Sequence, residues 1–197
     1  ILPVNRRRRI DEEQQQRREL LRDFVLILIN TGMRPGSETD GLCWQHVDYF
    51  KHVDGKEYPR LIVSGKTGER QLVGMGNVRT YLERVRKRRT AVLGHPPSPN
   101  EPVFCLPNGQ PVKHDYLRGL FERALKEADM LTDAAGRKRV LYSCRHTYAT
   151  FRLLYGRVSI YTLAENMGTS VSMIERHYGH LTPTMAASEL TQRIRPV

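Results

Sequence analysis

Cysteine, acidic charge and long apolar runs are all scarce in this 197-residue chain, and each shortage removes a class of protein. The three cysteines, Cys43, Cys105 and Cys144, are odd in number, scattered and never at CxxC spacing. That argues against a disulfide framework or a thiolate zinc site, and a reducing cytosol is the expected compartment. The longest apolar stretch, residues 24–29, falls far short of the roughly 20 residues that span a bilayer, so no membrane partner is expected. Residues 1–5 run into four arginines without the apolar core or cleavage site of a secretory leader. No initiator Met is present, and the expectation is a piece of a longer protein. Asp plus Glu number 21 against 32 Lys plus Arg, a net charge of +11. That balance makes a polyanion the default partner, with nucleic acid ahead of an anionic membrane surface.

What is present reads mainly as helix. Leu20, Leu21, Phe24, Val25 and Leu28 recur at three and four, behind an acidic first turn, and predict a helix over 12–30. Thr31-Gly32 ends it. Pro35-Gly36 makes a turn, and Ser37 is placed to cap a short helix over 38–42. From 47 to 73 the pattern changes to short β-prone runs: 47–50, 60–64 and 70–73. The last two flank Gly65-Lys66-Thr67-Gly68-Glu69, a hairpin whose tip presents a lysine. Gly-Lys-Thr here lacks the upstream glycine of a nucleotide phosphate loop.

Residues 77–93 form a helix with Arg79, Arg84, Arg86, Lys87, Arg88 and Arg89 around a stripe of Val78, Leu82, Val85 and Val92. Such a face is either solvated or tracks phosphates. A short strand over 103–106 and a helix over 113–129 follow. Three closely spaced helices, 143–155, 159–166 and 170–178, then precede an amphipathic tail over 183–194. Gly168 reads as a C-cap, and Thr169-Ser170 offer N-cap hydroxyls. The fold class is therefore mainly α (α+β), helices with a small three-stranded antiparallel sheet. One main domain over 12–182 is expected, after a basic linker over 1–11 and before a tail over 183–197.

The chemistry-bearing residues suit a phosphodiester. Cutting one without metal needs an in-line nucleophile, cationic forks on the non-bridging oxygens and an acid for the departing alkoxide. Arginine donates two parallel hydrogen bonds to phosphate and stays charged. Nearby positive charge tunes a lysine toward acid duty. A tyrosine oxygen can attack phosphorus and conserve the bond as a phosphotyrosine ester. His177 and His180 stand three apart and would suggest a metal site together with His146 or Cys144, but no carboxylate or thiolate stands at zincin spacing. No metal and no cofactor are expected.

Arg34 in Thr-Gly-Met-Arg-Pro-Gly-Ser-Glu, Lys66 in a strand-turn-strand, Arg145 in Tyr-Ser-Cys-Arg-His-Thr and Tyr178 in Arg-His-Tyr-Gly-His form an ordered set. With Met167-Gly168 and His180 at matching spacing, it resembles the tyrosine recombinase (phage integrase) family over about residues 12–182. The resemblance implies a helical DNA breaking-rejoining catalytic domain acting through a 3′-phosphotyrosyl intermediate, without metal or ATP. It implies Arg34 and Arg145 as phosphate clamp, Lys66 as general acid, Tyr178 as nucleophile and Glu38 as the partner that orients the clamp. His146 is expected to be mainly a buried structural hydrogen-bonder. Two positions depart from the family, which usually has His where this chain has Tyr142, and His or Trp where it has Thr169. Both can donate a hydrogen bond to phosphate, but neither is an imidazole base.

Thr67, Arg70, Lys113, His114 and Arg118 are the DNA-contact candidates. The implied partner is a double-stranded DNA recombination site, bound by a homotetramer on paired sites, with the isolated domain monomeric or weakly associated. No small-molecule substrate is expected, and the location would be cytoplasmic and nucleoid-associated. Two other readings stay open: a non-catalytic DNA-binding or architectural protein, and a type IB topoisomerase-like nicking-resealing enzyme.

Overall fold

Helix α1, Glu12–Thr31, buries Leu20, Leu21, Phe24, Ile27 and Leu28 along one face, which the three-and-four spacing dictates. The structure is a computed structural model that describes residues 12–65 and 68–181, with Ala187 and Thr191. The linker over 1–11, Lys66, Thr67 and nearly all of the 183–197 tail lie outside the described residues. Gly32 ends α1 at φ 71°, and a Cβ there would fall 2.4 Å from the Tyr148 ring, so only glycine fits.

The helix expected over 38–42 is a series of turns instead. The Asp40 N–H donates to Gly36 O at 2.8 Å, and Thr39 Oγ1 accepts from the Gly36 N–H at 2.9 Å. Glu38 is drawn inward by two arginines, which folds the segment back before a helical ladder can start.

Strands β1 (Val47–Lys51), β2 (Glu57–Gly65) and β3 (Gly68–Val73) make an antiparallel sheet in the order β1-β2-β3. Leu61 pairs with Val47 and Leu72, and Gly65 pairs with Gly68 to close the hairpin. Alternation buries Leu61, Val63 and Leu72 on one face.

Helix α2, Val78–Leu93, sits against α1 through Val78, Leu82 and Val85. Most of its arginines have partners inside the molecule. Arg84 and Arg88 hold the fully buried Asp23 at 2.6 and 2.5 Å. Arg79 pairs with Glu57 and Glu83, Arg89 with Glu101, and Arg86 lies over the Trp44 ring. The basic face is thus substantially neutralised by the fold. The strand expected over 103–106 reduces to isolated bridges, Cys43 with Pro102 and Cys105 with Pro111, because proline has no N–H for a ladder.

Helices α3 (His114–Glu127), α4 (Leu141–Leu154), α5 (Ile160–Met167) and α6 (Val171–Tyr178) complete the fold. Helix α4 starts two residues before the expected 143, where Ser143 Oγ accepts from the Val140 N–H at 3.1 Å. Ser159 and Ser170 cap α5 and α6 by accepting from Thr162 and Met173 N–H groups. The core is divided. A large cluster joins α1, the sheet, α2, α3 and the start of α4, while a small one joins Tyr148, Ala149 and Leu153 of α4 to α5 and α6. Helix α4 belongs to both, and Arg145 stands at the changeover.

Candidate active site

Three arginines from distant parts of the chain meet at the last turn of α5. Arg34 follows α1, Arg70 lies on β3 and Arg145 on α4. Arg70 Nη1 donates to Asn166 O, Arg145 Nη2 to Met167 O at 2.8 Å, and Arg34 Nη2 to Gly168 O. These carbonyls lack onward partners in the helix, and they form the negative end of its dipole, so guanidiniums satisfy them twice over. Gly168 takes φ 62° as the C-cap, and a Cβ there would strike Arg70. Arg145 also donates to Gly32 O at 2.5 Å.

Glu38 organises the cations. Its side chain is 1% exposed and accepts from Arg34 Nη1 at 2.6 Å, from the Arg34 backbone N–H at 2.7 Å and from Arg70 Nη2 at 2.9 Å. A buried carboxylate between two guanidiniums is stable only with such full pairing. Burial, and next the charge of Arg34, lowers the pKa of Arg145. Burial likewise lowers that of Arg70, against the pull of Glu38. Like charges are therefore gathered here at some cost, which an anion would offset.

Arg70 is one of the DNA-contact candidates. It is turned inward, with a side chain 14% exposed and bonded to Glu38 and α5, because the buried carboxylate needs a second cation. Lys66 and Thr67 lie outside the described residues. Gly65, just before them, sits where a Cβ would be 3.3 Å from Glu38 Cγ, so the described end of β2 abuts the arginine cluster.

Tyr178 ends α6 in the small core, 7% exposed. Its Oη lies 2.6 Å from Nδ1 of His146. Burial pushes the phenol up to about 12, partly opposed by the field of Arg145. Tyr142, 43% exposed, places its ring 5.3 Å from that of His146 and acts electrostatically on both Arg145 and Tyr178. The expectation that His146 is buried is corrected: the residue is exposed, because α4 turns this position outward between Tyr142 and α6. Partial burial, then His177 and Arg145, still lower its pKa. Thr169 is half-buried and donates its N–H to Ala164 O at 3.0 Å, beside the Gly168 carbonyl that holds Arg34.

The α3 candidates flank this centre. Lys113 is exposed at the α3 N-terminus, His114 packs on Gly36 two residues from Arg34, and Arg118 is exposed but paired with Asp115. Asn166 has a role that no local sequence pattern signals. Its side chain accepts from the Val73 N–H at 2.8 Å and donates to Val73 O at 3.2 Å and to Tyr148 Oη at 2.9 Å. It thereby fastens the small layer to β3. Among the described residues no group of three or more His, Cys, Asp or Glu could hold a metal ion.

No protein-family model matches the chain, and no curated protein matches it. Solved structures do. The Tn1549 transposon integrase in complex with transposon right-end DNA aligns at TM-score 0.59 and 21% identity, over 92% of this chain and 64% of that one. XerH site-specific recombinase bound to difH substrate aligns at 0.64 and 23%, over 90% of this chain and 47% of that one. XerA recombinase aligns at 0.62 and 17%, over 98% and 67%. The chain shares the fold of these integrase and recombinase structures. It spans about half to two-thirds of the length of these proteins.

Proposed function

We propose that this chain is the catalytic part of a site-specific DNA recombinase that cleaves and rejoins strands through a phosphotyrosyl intermediate. Tyr178 is the nucleophile, and its Oη attacks the scissile phosphorus to leave a 3′-phosphotyrosyl bond. Arg34 and Arg145 grip the non-bridging oxygens, with Glu38 orienting Arg34. Lys66 protonates the leaving 5′-oxygen, while Tyr142 and Thr169 donate hydrogen bonds where the family has imidazoles. Lys113 and His114 contact the DNA backbone beside the clamp. The observation that carries this reading is the meeting of Arg34, Glu38 and Arg145 in one cluster, with Tyr178 within the field of Arg145. Arg145 is only 3% exposed, so phosphate access to it goes with a shift of the turn around Gly168. Assembly as a tetramer on paired sites belongs to the same proposal.

The DNA complexes of the Tn1549 integrase and XerH support a DNA partner. The competing reading, a binding protein that has lost turnover, draws on the two replaced imidazoles and on the burial of Tyr178. A nicked duplex that traps the covalent product separates the two. The chain should form a covalent protein–DNA band on a DNA site taken from its own element, and Tyr178→Phe should form none. Tight binding without any trapped product would favour the binding role.

A further inference from the structure

Replacement of imidazoles by Tyr142 and Thr169 leaves open what removes the proton from Tyr178. Among the described residues, the imidazole in contact with its Oη is that of His146, whose Nδ1 lies 2.6 Å away. The rings are 5.8 Å apart between centroids, and both residues are placed by helices that share the small core. His146 follows Arg145 directly on α4, so the base and the clamp are set by one helical turn. We propose that His146 is the proton acceptor for Tyr178 in cleavage and the proton donor to it in rejoining. This rests on the reading of Tyr178 as nucleophile.

The step balances as follows. Neutral His146, protonated on Nε2, accepts the Oη proton on the Nδ1 lone pair as the Oη–P bond forms. The P–O5′ bond breaks, and the 5′-oxygen takes a proton from Lys66. Rejoining reverses each transfer. The groups facing His146 are Tyr142 and Arg145 on α4 and His177 and Tyr178 on α6, while His180 follows on the turn that packs against α4. Partial burial first, then the charges of His177 and Arg145, keep His146 below the ordinary 6.5 and neutral near pH 7. Tyr178, pushed up to about 12, does not ionise ahead of attack. Proton transfer therefore accompanies bond formation, as in general-base catalysis.

The test uses the 197-residue chain and a pool of randomised duplexes whose 3′ phosphate is esterified to p-nitrophenol. Nitrophenolate leaves without an acid, so its release reports deprotonation of Tyr178 independently of Lys66. The expected rate rises with pH through a group below 6.5. His146→Gln should lose about 10²-fold or more together with that acid limb, and free imidazole should restore His146→Ala. Equal rates and an unchanged limb in His146→Gln would overturn the proposal while Tyr178-dependent adduct formation left the recombinase reading standing. No adduct from the unmodified chain, as from Tyr178→Phe, would remove both. Should a variant fail to fold, the unmodified chain still decides: a rate flat across the acid range overturns the role.

Discussion

Arg34, at the edge of the large core, and Tyr178, in the small one, are held by different kinds of contact. Arg34 has a buried carboxylate at one Nη and a helix carbonyl at the other, and its own N–H is tied to the same carboxylate. Tyr178 has apolar packing and a single hydrogen bond to His146. Charged groups gathered before an anion arrives repel one another, so they stay in place only if fixed counter-groups hold them. A phenol carries no charge until it reacts. One neutral contact is enough to aim it, and a light tether leaves the end of α6 free to adjust to a substrate. The contrast amounts to a stiffly held arginine cluster, the proposed clamp, and a lightly held phenol, the proposed nucleophile, joined across Asn166 and the α5 carbonyls.

Glu38→Gln should break this comparison most strongly. It leaves Arg34 and Arg70 beside a neutral amide in a site that excludes most water. Loss of one member of a buried ionic network costs about 3–5 kcal/mol. Denaturant unfolding should show that loss, and covalent trapping on DNA should fall with it. A change well under about 1 kcal/mol would mean that the cluster is effectively solvated and the clamp is not stiff.

Asn166→Ala should act on the joint alone. It removes both bonds to Val73 and leaves Tyr148 Oη without its partner. The expected loss is about 1–3 kcal/mol, felt unevenly. Amide exchange should speed up in α5 and α6 while α1 and the sheet keep their protection. Uniform loss across both cores would show that they unfold as one unit and that the division has no energetic meaning.

The sequence made one side of this contrast far more legible than the other. Helix α1, the hairpin, α5 with its Gly168 cap and α6 with its Ser170 cap follow from periodicity and capping residues, which are local signals. Glu38 was assigned to a helix because its local pattern permits one. The structure turns it into a counter-ion for Arg70, 32 positions away, and nothing local encodes that pairing. The arginines of α2 look like a phosphate track until Asp23 and Glu101 appear opposite them. For the proposed site, order along the chain singled out Arg34, Arg145 and Tyr178. It left His146 as a buried scaffold residue, since a contact between α4 and α6 is a matter of helix rotation. A further signal was available: with imidazoles missing at 142 and 169, the histidine beside Arg145 was the nearest replacement.

The smallest expected effect sharpens the lightly held side. His177 and His146 have ring centroids 6.0 Å apart, and a cation at His177 opposes protonation of His146. Two unit charges at that separation in a water-like dielectric interact by about 0.7 kcal/mol, or roughly half a pKa unit. His146 has a folded value below its unfolded one, so the unfolded chain binds the extra proton first. The stability that goes with neutral His146 is complete above 6.5 and is lost as pH falls from there toward the lower folded value. His177→Gln removes the opposing charge and brings the folded value back up. The acid limb of adduct formation should then move to higher pH by roughly half a unit, and the acid loss of stability attributable to His146 should shrink. Paired pH–rate and pH–unfolding curves for the two chains check both shifts. A limb that stays put while Tyr178 remains reactive would mean that Tyr178 loses its proton to some group other than His146.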